Sequence, residues 1–269
     1  MTINGGGSNL SATNLVIGGT AGKAGGNGSV QLTGNGALTV SKAITLWKQG
    51  NLNVAGGYAV VGSAPESTAD GNVYIGGSGE LTGTGSITGN MVITSGTVDA
   101  GGAASGNLSV AGNYLQTGGA LKFTVAGSGT GQASQLDVTG GVSISGSVIE
   151  FDFVNGYAPT KSQTFQVIDP PQSVSISGAT YSFTGLAPGF TFSVNRDANG
   201  LLFTALSNGI ATSTPIPEPA SLGVFALGGL ALLLANRRRL RPSTTNLKGR
   251  QLPKIASQDG AYHTGRRGG

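Results

Sequence analysis

The chain has 269 residues, 49 of them Gly, with no Cys, one Trp, one His and charge on only 10 % of positions. The lack of Cys excludes disulfides, thiol catalysis and thiolate metal sites, the absence of a Gly-X-Y period excludes collagen, and charge this sparse excludes a charged disordered chain. The net charge of +4 hides two unlike parts: six basic against ten acidic residues up to Asn236 (net −4), then nine basic against one acidic from Arg237 onward (net +8).

From Gly18 to about Gly146, short runs alternate apolar and small polar residues until a Gly, Gly-Asn or Gly-Gly interrupts them. Ser29–Thr33, Ala37–Val40, Asn51–Gly57, Asn72–Gly77, Asn107–Gly112 and Ala120–Gly127 are examples. Period-two alternation rich in Thr, Val and Ile is the strand signal, and Gly and Asn supply turn residues of positive φ. Strands this short bury little alone, but stacked as parallel rungs they build one continuous core. The pattern predicts a mainly β chain, with a parallel β-helix or solenoid over residues 1–147. Its inner face takes Val30, Leu32, Leu38, Val40, Leu52, Val54, Val73, Ile75, Ile87, Val92, Val98, Leu108, Val110, Leu121, Phe123 and Val125. The run E-L-T-G-T-G-S-I-T-G-N-M-V-I-T-S-G-T-V-D-A-G-G, Glu80 to Gly102, resembles the autotransporter-associated β-strand repeats of bacterial surface proteins.

At Val148 the texture changes. Val148–Val154, Gln163–Asp169, Ala179–Leu186, Gly189–Asp197 and Gly200–Leu206 are apolar runs that hold seven of the nine Phe. D-A-N-G at Asp197–Gly200 reads as a hairpin turn. A solenoid needs an end that stops edge pairing, so residues 148–206 are expected to form a β-rich cap. Residues 207–214 are mostly small residues and Thr and read as an accessible linker.

Residues 215–241 follow a fixed order. Pro217-Glu218-Pro219 comes first, then an uncharged apolar run from Ala220 to Ala235, then Arg237, Arg238, Arg239 and Arg241. The prolines start a helix rather than continue one, and Glu218 meets the positive end of its dipole. The run is apolar on every face, which predicts a transmembrane helix rather than a surface helix. It reaches roughly 24 Å at about 1.5 Å per residue, and arginine snorkelling closes the gap to a hydrocarbon core of about 30 Å. An acidic body and a basic tail across that span fit the positive-inside rule. Residues 242–269 read as a disordered basic tail. Nucleic-acid binding by that tail has no fold motif or interleaved aromatics behind it.

Pro-Glu-Pro, apolar span and arginine cluster together resemble the PEP-CTERM sorting signal of Gram-negative bacteria. The resemblance implies cargo held briefly in the inner membrane, cut near the motif by an exosortase-type transpeptidase, and passed to the cell surface or extracellular matrix. Family members usually end soon after the arginines and begin with a signal peptide. This chain continues to Gly269, and Met1–Gly7 has neither a basic n-region nor an apolar h-region, so a lost secretory leader is expected.

Chemistry inside the body is sparse. Glu150 and Asp152 alternate with Ile149, Phe151 and Phe153 and so face one side of a strand. Paired carboxylates serve glycoside hydrolysis, while a solvated outer face is the plainer reading. Asp70, Asp99 and Asp137 share no motif, and the G-G-x-G-x-D calcium repeat is absent. His263 lies in the tail with no positioned acid. Gly18–Gly26 holds a Lys but lacks P-loop spacing. Trp47, Tyr58 and Tyr74 are candidate sugar-stacking platforms or rung fillers. The sequence reads as a non-enzymatic exported surface or matrix protein with no cofactor or metal. Its partners are then an exosortase, the inner membrane in passing, and exopolysaccharide or other matrix components. A polysaccharide lyase or hydrolase on the same scaffold, and a permanently anchored adhesin, are the competing readings.

Overall fold

The computed structural model describes residues 1–62, 72–102, 105–169, 173–197 and 200–212. The chain divides into two compact units, Met1–Ile216 and Pro217–Gly269, and the described residues all belong to the first. The predicted transmembrane helix, the sorting motif and the basic tail lie outside them. Among the described residues every regular element is a strand, and no helix is long and apolar enough to cross a membrane.

Gly and Asn turns break the body into short strands that return on themselves. The first circuit is β1 (Thr2–Asn4) and β2 (Asn9–Ile17), followed by a small hairpin of β3 (Gly19–Thr20) and β4 (Lys23–Ala24). The second is β5 (Gly28–Thr33) and the ten-residue β6 (Ala37–Leu46). Each later circuit uses three strands. The third has β7 (Gly50–Ala55), β8 (Tyr58–Val61) and β9 (Asn72–Ile75), and the fourth β10 (Glu80–Gly83), β11 (Ser86–Thr88) and β12 (Asn90–Ile93). The fifth has β13 (Thr97–Ala100), β14 (Asn107–Ala111) and β15 (Tyr114–Gln116). The sixth has β16 (Ala120–Val125), β17 (Gln135–Val138) and β18 (Val142–Ser145), and the seventh β19 (Val148–Phe153), β20 (Thr164–Asp169) and β21 (Val174–Ser177). Then come β22 (Thr180–Thr184), β23 (Phe192–Asp197) and β24 (Gly200–Ala205).

Pairing is parallel between equivalent strands of successive circuits: β10 lies between β7 and β13, β11 between β8 and β14, β12 between β9 and β15. One column is the eight-stranded parallel sheet β1-β5-β7-β10-β13-β16-β19-β22. The other two columns share the long strand β6. Its Ala37–Val40 half pairs with β8 and its Ala43–Leu46 half with β9, which merges both columns into one 14-stranded sheet.

Register stacks like residues on like. Val30, Leu52, Leu81, Val98, Leu121 and Ile149 follow one another inward, as do Leu32, Val54, Gly83, Ala100, Phe123, Phe151 and Phe183. Nearly all of these are buried in one continuous apolar cluster. Gly83 has φ +125, and a Cβ there would stand 2.5 Å from the Val54 carbonyl oxygen, so only Gly lets that circuit close on the one before it.

One expectation shifts. Val92 points outward and Met91 and Ile93 point in. Three apolar residues in a row leave the alternation ambiguous by one place, and the neighbouring strands fix it. The aromatic texture from Val148 does not mark a change of strand direction. Parallel pairing runs on through β19, β20, β21 and β22. Within this region antiparallel pairing belongs to β24, which lies between β20 and β23, with Asp197 opposite Gly200 as the hairpin reading expects. The phenylalanines report the interior instead. Phe151 stacks between Phe123 (ring centroids 5.8 Å apart) and Phe183 (5.5 Å), with Phe203 of β24 at 4.7 Å.

Candidate functional site

Pro217, Glu218, Pro219, Arg237, Arg238, Arg239 and Arg241 lie outside the described residues, as do Asp70 and His263. The structure shows how the body hands the chain on toward them. After β24, Leu206 N–H donates to the Thr191 carbonyl at 2.9 Å, and Ser207 Oγ accepts from Thr191 N–H at 2.9 Å. Asn208 Oδ1 accepts from Lys161 N–H at 2.8 Å, and Gly209 N–H donates to the Pro159 carbonyl at 2.7 Å. The Ile210 carbonyl accepts from Ala187 N–H at 2.7 Å, and Thr212 N–H donates to Gly185 at 3.0 Å. Residues 207–212 of the expected linker are therefore hydrogen-bonded to the body, with Asn208, Ile210 and Thr212 still exposed. Glycine makes this possible: a Cβ at Gly209 would stand 2.9 Å from Pro159 Cδ. Ile210 keeps its side chain 69 % exposed while its backbone is bound.

Glu150 and Asp152 do share the outer face of β19, opposite buried Ile149, Phe151 and Phe153. Their neighbours are ladder partners. Glu150 sits in register between Lys122 and Ser182, and Asp152 between Thr124 and Thr184. Thr184 Oγ1 donates to Asp152 Oδ1 at 2.5 Å. Asp99 precedes Lys122 in the same column, so the face reads acid, base, acid across three circuits. Burial raises the Asp99 carboxyl, against the pull of Lys122 and of a 3.2 Å hydrogen bond from Gly102 N–H.

Sequence reasoning singled out Asp137 but missed its partner. Asp169 lies beside it in register on the next circuit. Both line an outward groove of about 280 Å³ together with Ser86, Ser109, Ala111 and Thr139. Asn107 Nδ2 donates to Asp137 Oδ2 at 3.1 Å, while Asp137 Oδ1 is buried without a partner. Burial raises the Asp137 carboxyl; the Asn107 hydrogen bond opposes the shift and the Asp169 charge adds to it. Among the described residues no group of three or more His, Asp or Glu side chains is placed to hold a metal ion.

The three aromatic candidates separate. Tyr58 is in register with Ala37 and Ser86 and stands exposed on β8. Trp47 and Tyr74 meet in a groove of about 250 Å³ on the outer face of β6, β9 and β12, with Ala21, Thr45, Gly76, Val92 and Thr94. The indole is fixed: Trp47 Nε1 donates to the Thr20 carbonyl at 3.0 Å. Glycines make room for it, since a Cβ at Gly19 would meet Trp47 Cδ1 at 2.7 Å and one at Gly76 would meet Cζ3 at 3.2 Å. Asn72 Nδ2 donates to the Tyr74 hydroxyl at 2.9 Å.

Residues 215–239 match the family model of the PEP-CTERM protein-sorting motif. The motif implies a membrane-associated sorting step, an exosortase as partner, and a secreted or surface protein. No curated protein and no solved structure matches the chain.

Proposed function

We propose that the chain is a non-enzymatic cell-surface or extracellular-matrix protein. Its body is a β-solenoid of stacked circuits, ended by the β23–β24 cap and delivered through the motif at residues 215–239. The observation that carries this reading is the motif match at residues 215–239, close behind a folded body whose last described residue, Thr212, is hydrogen-bonded to Gly185. Ala220–Ala235 spans the inner membrane. Arg237, Arg238, Arg239 and Arg241 hold the tail in the cytoplasm, because carrying arginines through hydrocarbon costs at least about 2.5 kcal/mol each on insertion scales. Pro217-Glu218-Pro219 lies just outside the span, where an integral-membrane transpeptidase reads it. The released body then meets extracellular polymers. The autotransporter-like texture of Glu80–Gly102 is in keeping with a surface role.

The test is expression in an exosortase-bearing host behind a secretory leader. Glu218→Ala is expected to stay in the membrane fraction at full mass. Replacing Arg237, Arg238 and Arg239 by Gln is expected to weaken retention before cleavage. Release of Glu218→Ala at the rate of the parent overturns the recognition role. The Asp137–Asp169 pair in its groove favours a second reading, a polysaccharide-active enzyme. Depolymerisation of an exopolysaccharide that is lost in Asp137→Asn would carry that reading instead.

A further inference from the structure

We propose that the Trp47–Tyr74 groove binds a neutral hexopyranose chain. The inference deepens the matrix part of the reading above and does not depend on the sorting step. A pyranose presents a flat apolar face of C–H bonds and a rim of hydroxyls. The groove offers the counterpart: an indole and a phenol ring, with Thr45 and Thr94 beside them and no charged side chain in its lining. The Trp47 N–H is already given to the Thr20 carbonyl, so the ring is pre-set and contributes its face rather than a hydrogen bond. Rigid aromatics held this way bind at little entropic cost.

The surroundings argue against other occupants. A peptide adding as a strand needs a free sheet edge, but β6, β9 and β12 are paired on both sides. A nucleic acid needs cations, and none line the groove. The outward residues of the groove also belong to a longer ladder column. Thr45, Tyr74, Val92, Leu115 and Ser143 form one outward column across five circuits, spaced about 4.8 Å apart. Leu115 is 40 % exposed in that column. A linear polymer running along the stack therefore meets one side chain per circuit.

Trp47 is the sole Trp of the chain, so its emission reports on this groove alone. The experiment titrates the detergent-solubilised full chain with cellohexaose, laminarihexaose and maltohexaose, following Trp emission and, in parallel, heat of binding. At least one hexaose is expected to shift the emission saturably. Tyr74→Ala and Trp47→Ala are expected to weaken the calorimetric affinity about tenfold or more. Trp47→Phe, which keeps an aromatic face, is expected to restore most of it, and Tyr58→Ala, on another column, to leave it unchanged. Trp47→Phe also guards against a folding defect in the Ala variant. The proposal is overturned if no hexaose changes emission or releases heat. It is equally overturned if binding is lost in Tyr58→Ala and kept in Tyr74→Ala. Neither result touches the processing of the Glu218→Ala variant, so a failure here is separable from a failure of the sorting reading.

Discussion

Tyr114 and Gln116 are joined inside the core. The Tyr114 hydroxyl donates to Gln116 Oε1 at 2.5 Å, and neither side chain is more than 1 % exposed. Gln116 Nε2 then donates to the Gly118 carbonyl at 3.0 Å, which anchors the turn into β16. Burial pushes the Tyr114 phenol upward, which favours the protonated form that donates this hydrogen bond. Polar groups this deep are tolerated because each has a partner.

Tyr114→Phe leaves Gln116 Oε1 buried without a donor and is expected to cost about 1–3 kcal/mol. Adding Gln116→Leu removes the orphaned acceptor, so the double variant should lose less than the sum of the single ones. Urea denaturation of the four proteins gives the coupling energy. Strict additivity would contradict the pairing.

Phe203 closes the C-terminal end of the core against Phe151, Phe165, Phe183 and Phe192, with centroids 4.7 to 5.9 Å away. Phe203→Ala should cost about 3–5 kcal/mol. A single shifted urea transition with an unchanged slope is expected. A loss under about 1 kcal/mol would mean that the β23–β24 hairpin is not part of the cooperative unit.

Asp137 carries a pH dependence whose sign follows from its raised carboxyl. A folded state that holds the proton more tightly than the unfolded chain loses stability as pH rises from the ordinary carboxylate value of 3.8 through the raised one. Below 3.8 both states are protonated and the group contributes no slope. Asp137→Asn should therefore raise the melting temperature at pH 7 and flatten the slope across that window. A lower melting temperature at pH 7 with an unchanged slope would contradict the assignment.

The docked segment from Ser207 to Thr212 should shield the chain up to that point. Limited proteolysis of the parent is expected to cut beyond Thr212. Gly209→Pro removes the N–H that bonds the Pro159 carbonyl and adds bulk where even a Cβ would stand 2.9 Å from Pro159 Cδ. Its cuts should move back into residues 206–212. Identical peptide maps would show that the docking does not control access.

The alternation that placed Val30, Leu52, Val98 and Leu121 inside is a local signal, and these residues are buried. So is the D-A-N-G turn that joins Asp197 to Gly200. Tyr114-Leu115-Gln116 shows where local pattern misleads. Hydrophobicity alone would bury Leu115, yet Leu115 faces out and its polar neighbours face in. The strands on either side decide, aligning Tyr114 with Met91 and Val142 and Gln116 with Ile93 and Ile144. The Asp137–Asp169 and Trp47–Tyr74 pairings were out of reach for a related reason. Equivalent positions are 17 residues apart between Leu81 and Val98 but 32 between Ile149 and Tyr181. With no fixed period, turn insertions hide which residues of successive circuits become neighbours. The sorting motif was legible because order and spacing within one continuous stretch carry it.

The most direct test is the mass of the mature protein recovered from the surface or medium of an exosortase-bearing host. Cleavage near Pro217-Glu218-Pro219 removes the apolar run and the basic tail together, so the released form should end within or close to that motif. It should lack Arg237, Arg238 and Arg239. A mature protein that keeps the span and its arginines, and that stays in the membrane fraction, would contradict sorting by cleavage and leave residues 215–241 as a permanent anchor.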